Sequence, residues 1–410
     1  MKHFFIVLLL VIPTVVFQAV AGPGGFVTTR GSEIVDPDGK PLLLRGVNLG
    51  NWLVPEGYMF KFKYASSPRK IHEVISELVG PAEAQAFWRD FRDSYITRDD
   101  IRMIRQLGLN SIRVPFNHKL FSPEVTPGVW SGPGFEMLDR VIGWCKEAGL
   151  WVVLDMHCAP GGQTGDNIDD SWGAPFLFQN PESRALACET WRRIAERYAQ
   201  DPMVIGYDLL NEPIAPFADT AQLNPLLEPL YKEIVGAIRT ADTNHIVFLG
   251  GAQWDTNFGV FGPPFDRKVI YTFHKYWCDT TQAMIQEYVD FRERYNVPIW
   301  MGESGENKDE WIRGWRTLLE RNSIGWCFWP YKKMDAKTCV VTFDRPAGYE
   351  EIIRFANSPR ESYEQIRKAR PSLEASRSAL RGLLQNCDVA RCRQNDGYVK
   401  ALMGGSAAAR

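Results

Sequence analysis

Several motifs that mark other classes of enzyme are absent from the 410-residue sequence. It contains no H-E-x-x-H and no C-x-x-C, which excludes the usual helical zinc site and the zinc knuckle. It also lacks the G-x-G-x-x-G turn of dinucleotide-binding sheets. The stretch GESG at 302–305 begins like a nucleophile elbow, but Glu306 stands where that motif needs glycine. A metal hydrolase using His157, His274 and nearby acids remains an alternative, although we expect no cofactor.

Charge and cysteine content exclude two further classes. The formal net charge is −2 and no block of basic residues occurs, so nucleic acid is not an expected partner. The eight cysteines are widely and irregularly spaced, unlike those of a disulfide scaffold. Cys387 and Cys392 are close enough in sequence to pair with each other.

Long apolar runs are absent except at the N-terminus. A short basic start, an apolar stretch at 4–16 and the sequence Ala19-Val20-Ala21 together predict a cleaved signal peptide at 1–21. A retained membrane anchor is the alternative reading of this segment. We therefore expect a secreted or periplasmic protein with no membrane span in the mature chain.

Strand-length apolar runs alternate with segments of helical spacing along the rest of the chain. The runs are nearly continuous, as expected for strands that are covered on both faces. The eight predicted strands are 42–49, 111–116, 151–158, 204–213, 245–252, 269–276, 298–305 and 325–332. The helical segments are 135–148, 181–199, 226–240, 281–295 and 309–321. This pattern predicts an α/β fold, a closed (β/α)8 TIM barrel, with an open doubly wound sheet as the alternative.

The predicted division of the chain has three parts. The barrel domain is predicted to span 22–370, and its first βα loop, 50–97, is long and rich in aromatic residues. Residues 371–410 form a helical or disordered tail, of which the last stretch, from 403, is expected to be disordered. We expect a single domain and a monomer.

Polar and aromatic residues stand at the predicted C-terminal ends of all eight strands. In a barrel these ends meet at one mouth, so together they indicate a site more strongly than any single residue does. In strand order they are Asn48, Asn51, Trp52, Arg113, Asn117, His118, Asp155, His157, Asn211, Glu212, Gln253, Trp254, His274, Tyr276, Glu303 and Trp329.

Two of these residues, Glu212 and Glu303, suit glycoside hydrolysis. One carboxyl protonates the leaving oxygen while the other attacks the sugar or activates water, and the two need different environments. Arg113 and Tyr276 are candidates to hold Glu303 ionised and oriented. The remaining candidates for substrate binding are Asn211, for a sugar hydroxyl, His157 and His274, for hydroxyls or the acid, and Trp329, for a sugar ring.

Six segments carry a resemblance to family 5 glycoside hydrolases, the cellulase family. They are LRGVNLGNW at 44–52, SIRVPF at 111–116, DMH at 155–157, LLNEP at 209–213, HKY at 274–276 and MGESG at 301–305. The resemblance implies a retaining double displacement on a β-glycoside, with Glu212 as acid/base and Glu303 as nucleophile. It also implies supporting positions at Arg113, His157, Asn211, His274, Tyr276 and Trp329.

The resemblance leaves the substrate open. The opening motif and the stretch FWRDFRDSYITRDDI at 87–101 are similar to the branch of exo-β-1,3-glucanases and their bacterial relatives, whereas the loop at 157–172 is similar to bacterial cellulases. We expect cleavage of β-1,4 or β-1,3 glucosidic bonds in an oligo- or polysaccharide. The alternatives are a β-glucosidase acting on a lipid or sterol glucoside, and a carbohydrate-binding barrel without catalysis.

Overall fold

The computed structural model describes residues 25–404. Its strands are β1 (Thr28–Arg30), β2 (Glu33–Val35), β3 (Arg45–Asn48), β4 (Ser111–Asn117), β5 (Trp151–Cys158), β6 (Val204–Asp208), β7 (Ile246–Gly250), β8 (Val269–His274), β9 (Ile299–Gly305), β10 (Gly325–Trp329), β11 (Lys332–Met334), β12 (Val341–Phe343) and β13 (Arg393–Gln394). Its helices are α1 (Pro68–Val79), α2 (Pro81–Tyr95), α3 (Arg98–Gln106), α4 (Gly134–Ala148), α5 (Pro181–Tyr198), α6 (Thr220–Arg239), α7 (Ala252–Asp255), α8 (Gln286–Tyr295), α9 (Asp309–Arg321), α10 (Tyr349–Ala356), α11 (Tyr363–Ala369), α12 (Leu373–Asn386) and α13 (Asp396–Met403).

Strands β3 to β10 close into one parallel barrel, in which each strand pairs with the next along the chain and β10 returns to β3. Helices lie between consecutive strands, although the connection from β7 to β8 holds only the four-residue α7 and one short 3-10 turn. The predicted TIM barrel is confirmed. All eight carboxyl ends therefore open to the same face.

Several barrel strands end earlier than their apolar runs. The run at 204–213 pairs only as far as Asp208, so Asn211 and Glu212 lie in the loop beyond β6 rather than on the strand. In the same way β8 ends at His274, two residues before Tyr276. Apolar sequence continues past these ends because the loops at the mouth are themselves buried.

The opposite end of the barrel is closed by the hairpin of β1 and β2. Val27 and Ile34 at this hairpin belong to an inner core with side chains from the barrel strands, including Ile205, Phe248 and Trp300. This apolar floor is separate from the larger core between strands and helices. The polar side chains of the mouth are thus confined to one end.

The first βα connection contains α1 and α2 before the barrel helix α3. Most of its aromatic residues are buried in a cluster in which Phe91 packs within 6 Å of Phe60, Phe87 and Trp88. Trp52, expected at the mouth, is only 1% exposed, and its indole donates a hydrogen bond to the Arg92 carbonyl. Trp52 is therefore part of the core, and its place on the predicted mouth list was wrong.

The C-terminal segment lies on the barrel within the described residues. β13 pairs antiparallel with β12, and Leu380, Leu383 and Leu402 are buried. The domain boundary at 370 stays a prediction. Cys387 and Cys392 are both free thiols here, so the local pairing considered above is not present among the described residues.

The predicted signal peptide at 1–21 and most of the stretch from 403 onward lie outside the described residues. Between residues 25 and 404, no helix combines the length and the apolar character needed to cross a membrane.

A buried lysine joins three of these segments. Lys332 of β11 is fully buried and forms an ion pair with Asp100 of α3, with 2.6 Å between nitrogen and oxygen. Its ammonium group also donates to the carbonyls of Tyr95, at 2.7 Å, and Cys387, at 2.8 Å. A buried ammonium group is tolerated only with such a full set of partners.

We therefore predict that Lys332→Met lowers the free energy of unfolding by about 3–5 kcal/mol, because the buried Asp100 carboxylate loses its partner. The matched control is Lys368→Met, which removes an ion pair with Glu364 whose lysine side chain is 77% exposed. That change should cost less than about 1 kcal/mol. Urea unfolding of both variants checks the prediction, and equal effects would contradict it.

Candidate active site

A buried guanidinium occupies the centre of the barrel mouth. Arg113 of β4 is 0% exposed and lies 3.1 Å from Asp155 of β5, 2.8 Å from Asp208 of β6 and 2.7 Å from Glu303 of β9. Burial raises the pKa of Asp155 and of Asp208 to about 7, against the opposing charge of Arg113. The arginine thus connects four strands through one planar group.

Two amide side chains complete the set of Arg113 partners. Arg113 donates to Oδ1 of Asn48 at 3.1 Å and to Oδ1 of Asn211 at 2.9 Å. Because arginine only donates, it fixes which end of each amide faces it. The amide nitrogen of Asn48 donates to the carbonyls of Gly302 and Cys327, whereas that of Asn211 faces away from Arg113.

Glu303 is held by two donors at the end of the barrel strand β9. Arg113 donates to its Oε1 at 2.7 Å, and the Tyr276 hydroxyl donates to its Oε2 at 2.9 Å. The predicted contacts of Arg113 and Tyr276 with Glu303 are therefore present in the structure. With one donor on each oxygen, the carboxylate has a fixed orientation.

Glu212 is positioned by backbone geometry and by a histidine. It has a φ of 47°, and its N–H donates to Asp255 at 3.2 Å. Its Oε1 lies 3.0 Å from Nδ1 of His274, and its side chain is 16% exposed. Glu212 is thus held from two directions while part of its carboxyl remains open to the mouth.

The two glutamates lie close together. Oxygen atoms of Glu212 and Glu303 and a ring nitrogen of His274 all lie within 4.8 Å of one another. Such a trio can also hold a cation, but Arg113 lies 2.7 Å from Glu303 and would repel a positive ion there. The donor set therefore fits an acid pair better than a metal centre.

The two carboxyls differ in electrostatic environment. Burial raises the pKa of Glu212 well above its usual range, and the negative charge of Glu303 raises it further. The pKa of Glu303 is also raised by burial, and Arg113 and the Tyr276 hydroxyl oppose that rise. This difference has the direction that a protonated acid and an ionised carboxylate require.

The histidines of the mouth are neutral near pH 7. Burial lowers the pKa of His157 to about 3 and lowers that of His274 well below its usual value. His157 is held by Asp155 at 2.8 Å and lies parallel to the Trp329 ring, with 5.7 Å between centroids and 7° between planes. Each imidazole can therefore both donate and accept a hydrogen bond.

Trp329 borders the mouth with little free surface. It is 4% exposed, and its indole N–H donates to the Tyr58 hydroxyl at 2.8 Å. A side chain on Gly50 would come within 2.6 Å of the indole ring, so the indole can occupy this position only because residue 50 is glycine. The predicted role of Trp329 as a flat surface for sugar stays a prediction.

More exposed aromatic residues stand on the loops that follow the barrel strands. They lie after β3, β5, β6, β7 and β8, and their exposed fractions range from 36% to 73%. They are Tyr58, Trp172, Phe217, Trp254 and Trp277. Trp172 is clamped, since the guanidinium of Arg69 lies 3.6 Å from the ring centroid and the indole donates to Glu124 at 2.9 Å.

The structure brings all eight predicted site residues to the mouth, and it adds three acids that the site prediction omitted. Asp208 pairs with Arg113, Asp255 contacts Glu212 and His274, and Glu56 is buried with a pKa raised by burial and by the charge of Glu303. Asp208 could have been found as a charged residue inside the apolar run at 204–213. Asp255 ends the short α7 after β7 and Glu56 lies in the first βα loop, and no local pattern indicates the path of either segment.

Comparison with known families agrees with this geometry. The family model "Cellulase (glycosyl hydrolase family 5)" matches residues 77–335. The chain belongs to glycosyl hydrolase family 5. It is accordingly an O-glycosyl hydrolase, and the resemblance drawn from its motifs is confirmed.

Relatives of this family 5 chain carry several names. A beta-xylosidase from Phanerodontia chrysosporium is 30% identical over 359 residues, which is 78% of this chain and 74% of the relative. Endoglucanase C of Acetivibrio thermocellus is 26% identical, covering 66% of this chain and 94% of the relative. A probable glucan 1,3-beta-glucosidase A from Aspergillus fumigatus is 32% identical over about half of each chain.

Solved structures support the fold of the family 5 barrel. An endogalactoceramidase aligns with a TM-score of 0.61 and 18% identity, covering 92% of this chain and 84% of its own. A rutinosidase from Aspergillus niger aligns with a TM-score of 0.58 and 18% identity, covering 71% of this chain and 90% of its own.

Proposed function

We propose that this family 5 hydrolase cleaves β-glucosidic bonds in a glucan by retaining double displacement, with Glu303 as nucleophile and Glu212 as acid/base. The supporting observation is that one carboxylate oxygen of Glu212 lies within 4.8 Å of one carboxylate oxygen of Glu303. Retaining enzymes hold their carboxyls about 5–5.5 Å apart, whereas inverting enzymes leave about 6.5–9.5 Å for a water molecule. The space between Glu212 and Glu303 suits direct attack on the sugar.

The environments of the two acids support these roles. Glu303, ionised beside Arg113 and Tyr276, attacks the anomeric carbon while protonated Glu212 gives its proton to the leaving oxygen. The glycosidic bond breaks and a glycosyl ester forms on Glu303. In the second step Glu212 takes a proton from water, which attacks the same carbon and releases Glu303.

The other predicted residues have supporting roles in this proposal. The amide nitrogen of Asn211, whose oxygen is fixed by Arg113, donates to the 2-hydroxyl of the sugar. His157 binds a further hydroxyl, His274 holds Glu212, and Trp329 borders the ring.

Substitutions of Glu303 and Glu212 should differ in how the loss of activity depends on the substrate. Glu303→Ala should lose turnover of every substrate, because no ester can form. Glu212→Ala should lose about 10²–10⁴-fold on substrates with poor leaving groups but much less on activated aryl glycosides, because only poor leaving groups need the proton. Azide should restore activity to Glu212→Ala and give a β-glycosyl azide. Steady-state kinetics measure both variants, with Glu228→Ala on helix α6 as the control.

The stereochemistry of the first product provides an independent readout in the unmodified enzyme. Proton NMR during hydrolysis of a β-linked substrate should detect the β-anomer before mutarotation. Early appearance of the α-anomer would contradict the assignment of Glu303 as nucleophile.

The proposed substrate is a β-1,4- or β-1,3-glucan. Endoglucanases and a glucan 1,3-beta-glucosidase are among the relatives, and exposed aromatic residues around the mouth suit sugar rings bound beyond the cleaved bond. A panel of laminarin, carboxymethyl-cellulose, lichenan and mannan, with products resolved by size, tests this. We expect release of sugars from at least one glucan and none from mannan; activity on mannan alone would contradict it.

The second candidate is a β-glucosidase for a lipid or sterol glucoside. The same exposed aromatic side chains, particularly Trp277 at 73% and Phe217 at 66%, offer apolar surface to such an aglycone. An alkyl glucoside added to the panel separates the candidates, since this alternative predicts its hydrolysis and no release from glucans. A barrel that only binds carbohydrate would turn over none of these substrates.

We propose that the protein is exported after cleavage of its signal peptide. We also propose that it is a monomer. The basis for export is the apolar N-terminal stretch followed by Ala19-Val20-Ala21. N-terminal sequencing of exported protein should find a start at or near Gly22. Active exported protein that still begins with Met1 would contradict cleavage.

A further inference from the structure

Asp255 lies under the proposed acid in an uncommon backbone conformation. It follows β7, where Gln253, Trp254 and Asp255 have φ values of 51°, 59° and 60°. Three consecutive non-glycine residues in the left-handed region persist only when the surrounding structure holds them there. Gly250 makes the space, since a side chain on it would come within 2.0 Å of Asp255 Oδ1.

The Asp255 carboxyl contacts both groups that position the acid. Its Oδ2 accepts the Glu212 N–H at 3.2 Å and lies 3.3 Å from Nε2 of His274. Asp255 and His274 are 0% and 1% exposed, and neither Asp255 Oδ1 nor His274 Nε2 has a hydrogen-bond partner within residues 25–404, so Nε2 is a buried ring nitrogen with the Asp255 carboxyl 3.3 Å away. The other ring nitrogen of His274 lies 3.0 Å from Glu212 Oε1. The three side chains thus form a carboxyl–imidazole–carboxyl series.

We propose that Asp255 is a positioning residue that sets the tautomer of His274 and thereby decides which oxygen of Glu212 carries the proton. The inference rests on the proposed role of Glu212 as acid/base.

The surroundings favour a protonated Asp255. Burial raises its pKa, and the charges of Asp208 and Glu212 raise it further, while Arg113 and the Glu212 N–H act in the opposite direction. The hydroxyls of Tyr231 and Tyr288 face the same region. Because Oδ2 lies 3.3 Å from the unpartnered Nε2 of His274, a proton on Oδ2 can be donated to that nitrogen, while a lone pair on the same oxygen accepts the Glu212 N–H.

This arrangement places the remaining protons. When Nε2 of His274 accepts, Nδ1 carries the ring proton and donates to Oε1 of Glu212. The acidic proton of Glu212 then lies on Oε2, the oxygen away from the imidazole, and is free to move to the leaving oxygen. After the transfer, the same Nδ1–H stabilises the Glu212 carboxylate.

A purely structural role would need only the bond from the Glu212 N–H, and Asp255→Asn separates the two roles. In this variant the amide oxygen must take the Oδ2 position to accept that N–H. The oxygen then faces Nε2 of His274 as an acceptor. This favours a proton on Nε2 and leaves Nδ1 without a proton. The proton of Glu212 is drawn to Oε1, toward the histidine and away from the substrate.

The test measures tautomer and kinetics in the full-length enzyme. In ¹⁵N-histidine NMR, with His274→Gln to assign the signals, we expect Nδ1–H in the unmodified enzyme and Nε2–H in Asp255→Asn. The variant should lose at least about tenfold in kcat/KM on a β-glucan with a poor leaving group and less than about threefold on a dinitrophenyl glycoside. Asp242→Asn is the matched control, since Asp242 forms another buried pair with a histidine, His245; it should leave this leaving-group dependence unchanged.

An unchanged His274 tautomer in Asp255→Asn, or equal losses on the two substrates, would overturn the proposal. The failure of the proposed function is read separately, from Glu212→Ala. If Glu212→Ala shows no dependence on the leaving group, Glu212 is not the acid, whatever the tautomer of His274.

Discussion

The buried charge of Arg113 is the constraint on which the rest of the mouth depends. A guanidinium with no exposed surface is stable only beside opposite charge, and Asp155, Asp208 and Glu303 provide it from three other strands. The same contacts fix the direction of the Glu303 carboxylate and of the Asn211 amide. The contacts that stabilise the buried charge of Arg113 are thus the same contacts that orient the proposed nucleophile, Glu303.

Around this cluster, the loops at the strand ends use costly backbone conformations. Glu212, Ile214, Trp277 and Glu306 all have φ between 47° and 59°, and each follows a barrel strand by one to six residues. Non-glycine residues in this region cost on the order of 1–3 kcal/mol each and cluster where function constrains the chain. The apolar floor and the outer core of the barrel provide the stability that permits them.

The barrel and its polar mouth could be predicted because both follow from local patterns. Continuous apolar runs give buried parallel strands, and the alternation with helices leaves one end where polar side chains such as Glu303 collect. The strand at 204–213 was predicted too long because the apolar loop before Glu212 is buried as deeply as a strand. Trp52 was wrongly placed at the mouth for a related reason. Its position just after a strand does not reveal that its side chain packs against helix α2, where its indole bonds to the Arg92 carbonyl.

Asp255 was not predicted to belong to the site because its position depends on left-handed backbone at three residues and on space above Gly250. Neither feature leaves a periodic signal in the sequence. The short separation of Glu212 and Glu303 was expected from the resemblance to retaining enzymes, although the path of the loop after β6 that produces it has no local signal. The residue types at strand ends and the contacts of Arg113 and Tyr276 with Glu303 were therefore predictable, whereas the contacts that Asp255 makes were not.

In the proposed reaction, Arg113 and Tyr276 hold Glu303 as the nucleophile of a retaining mechanism. Incubation of the enzyme with an activated 2-deoxy-2-fluoro-β-glucoside, whose glycosyl ester hydrolyses slowly, traps that nucleophile, and peptide mass spectrometry maps the label. We expect one added fluorosugar per chain, attached to Glu303. A label on Glu212, or turnover of the reagent with no covalent adduct, would contradict it.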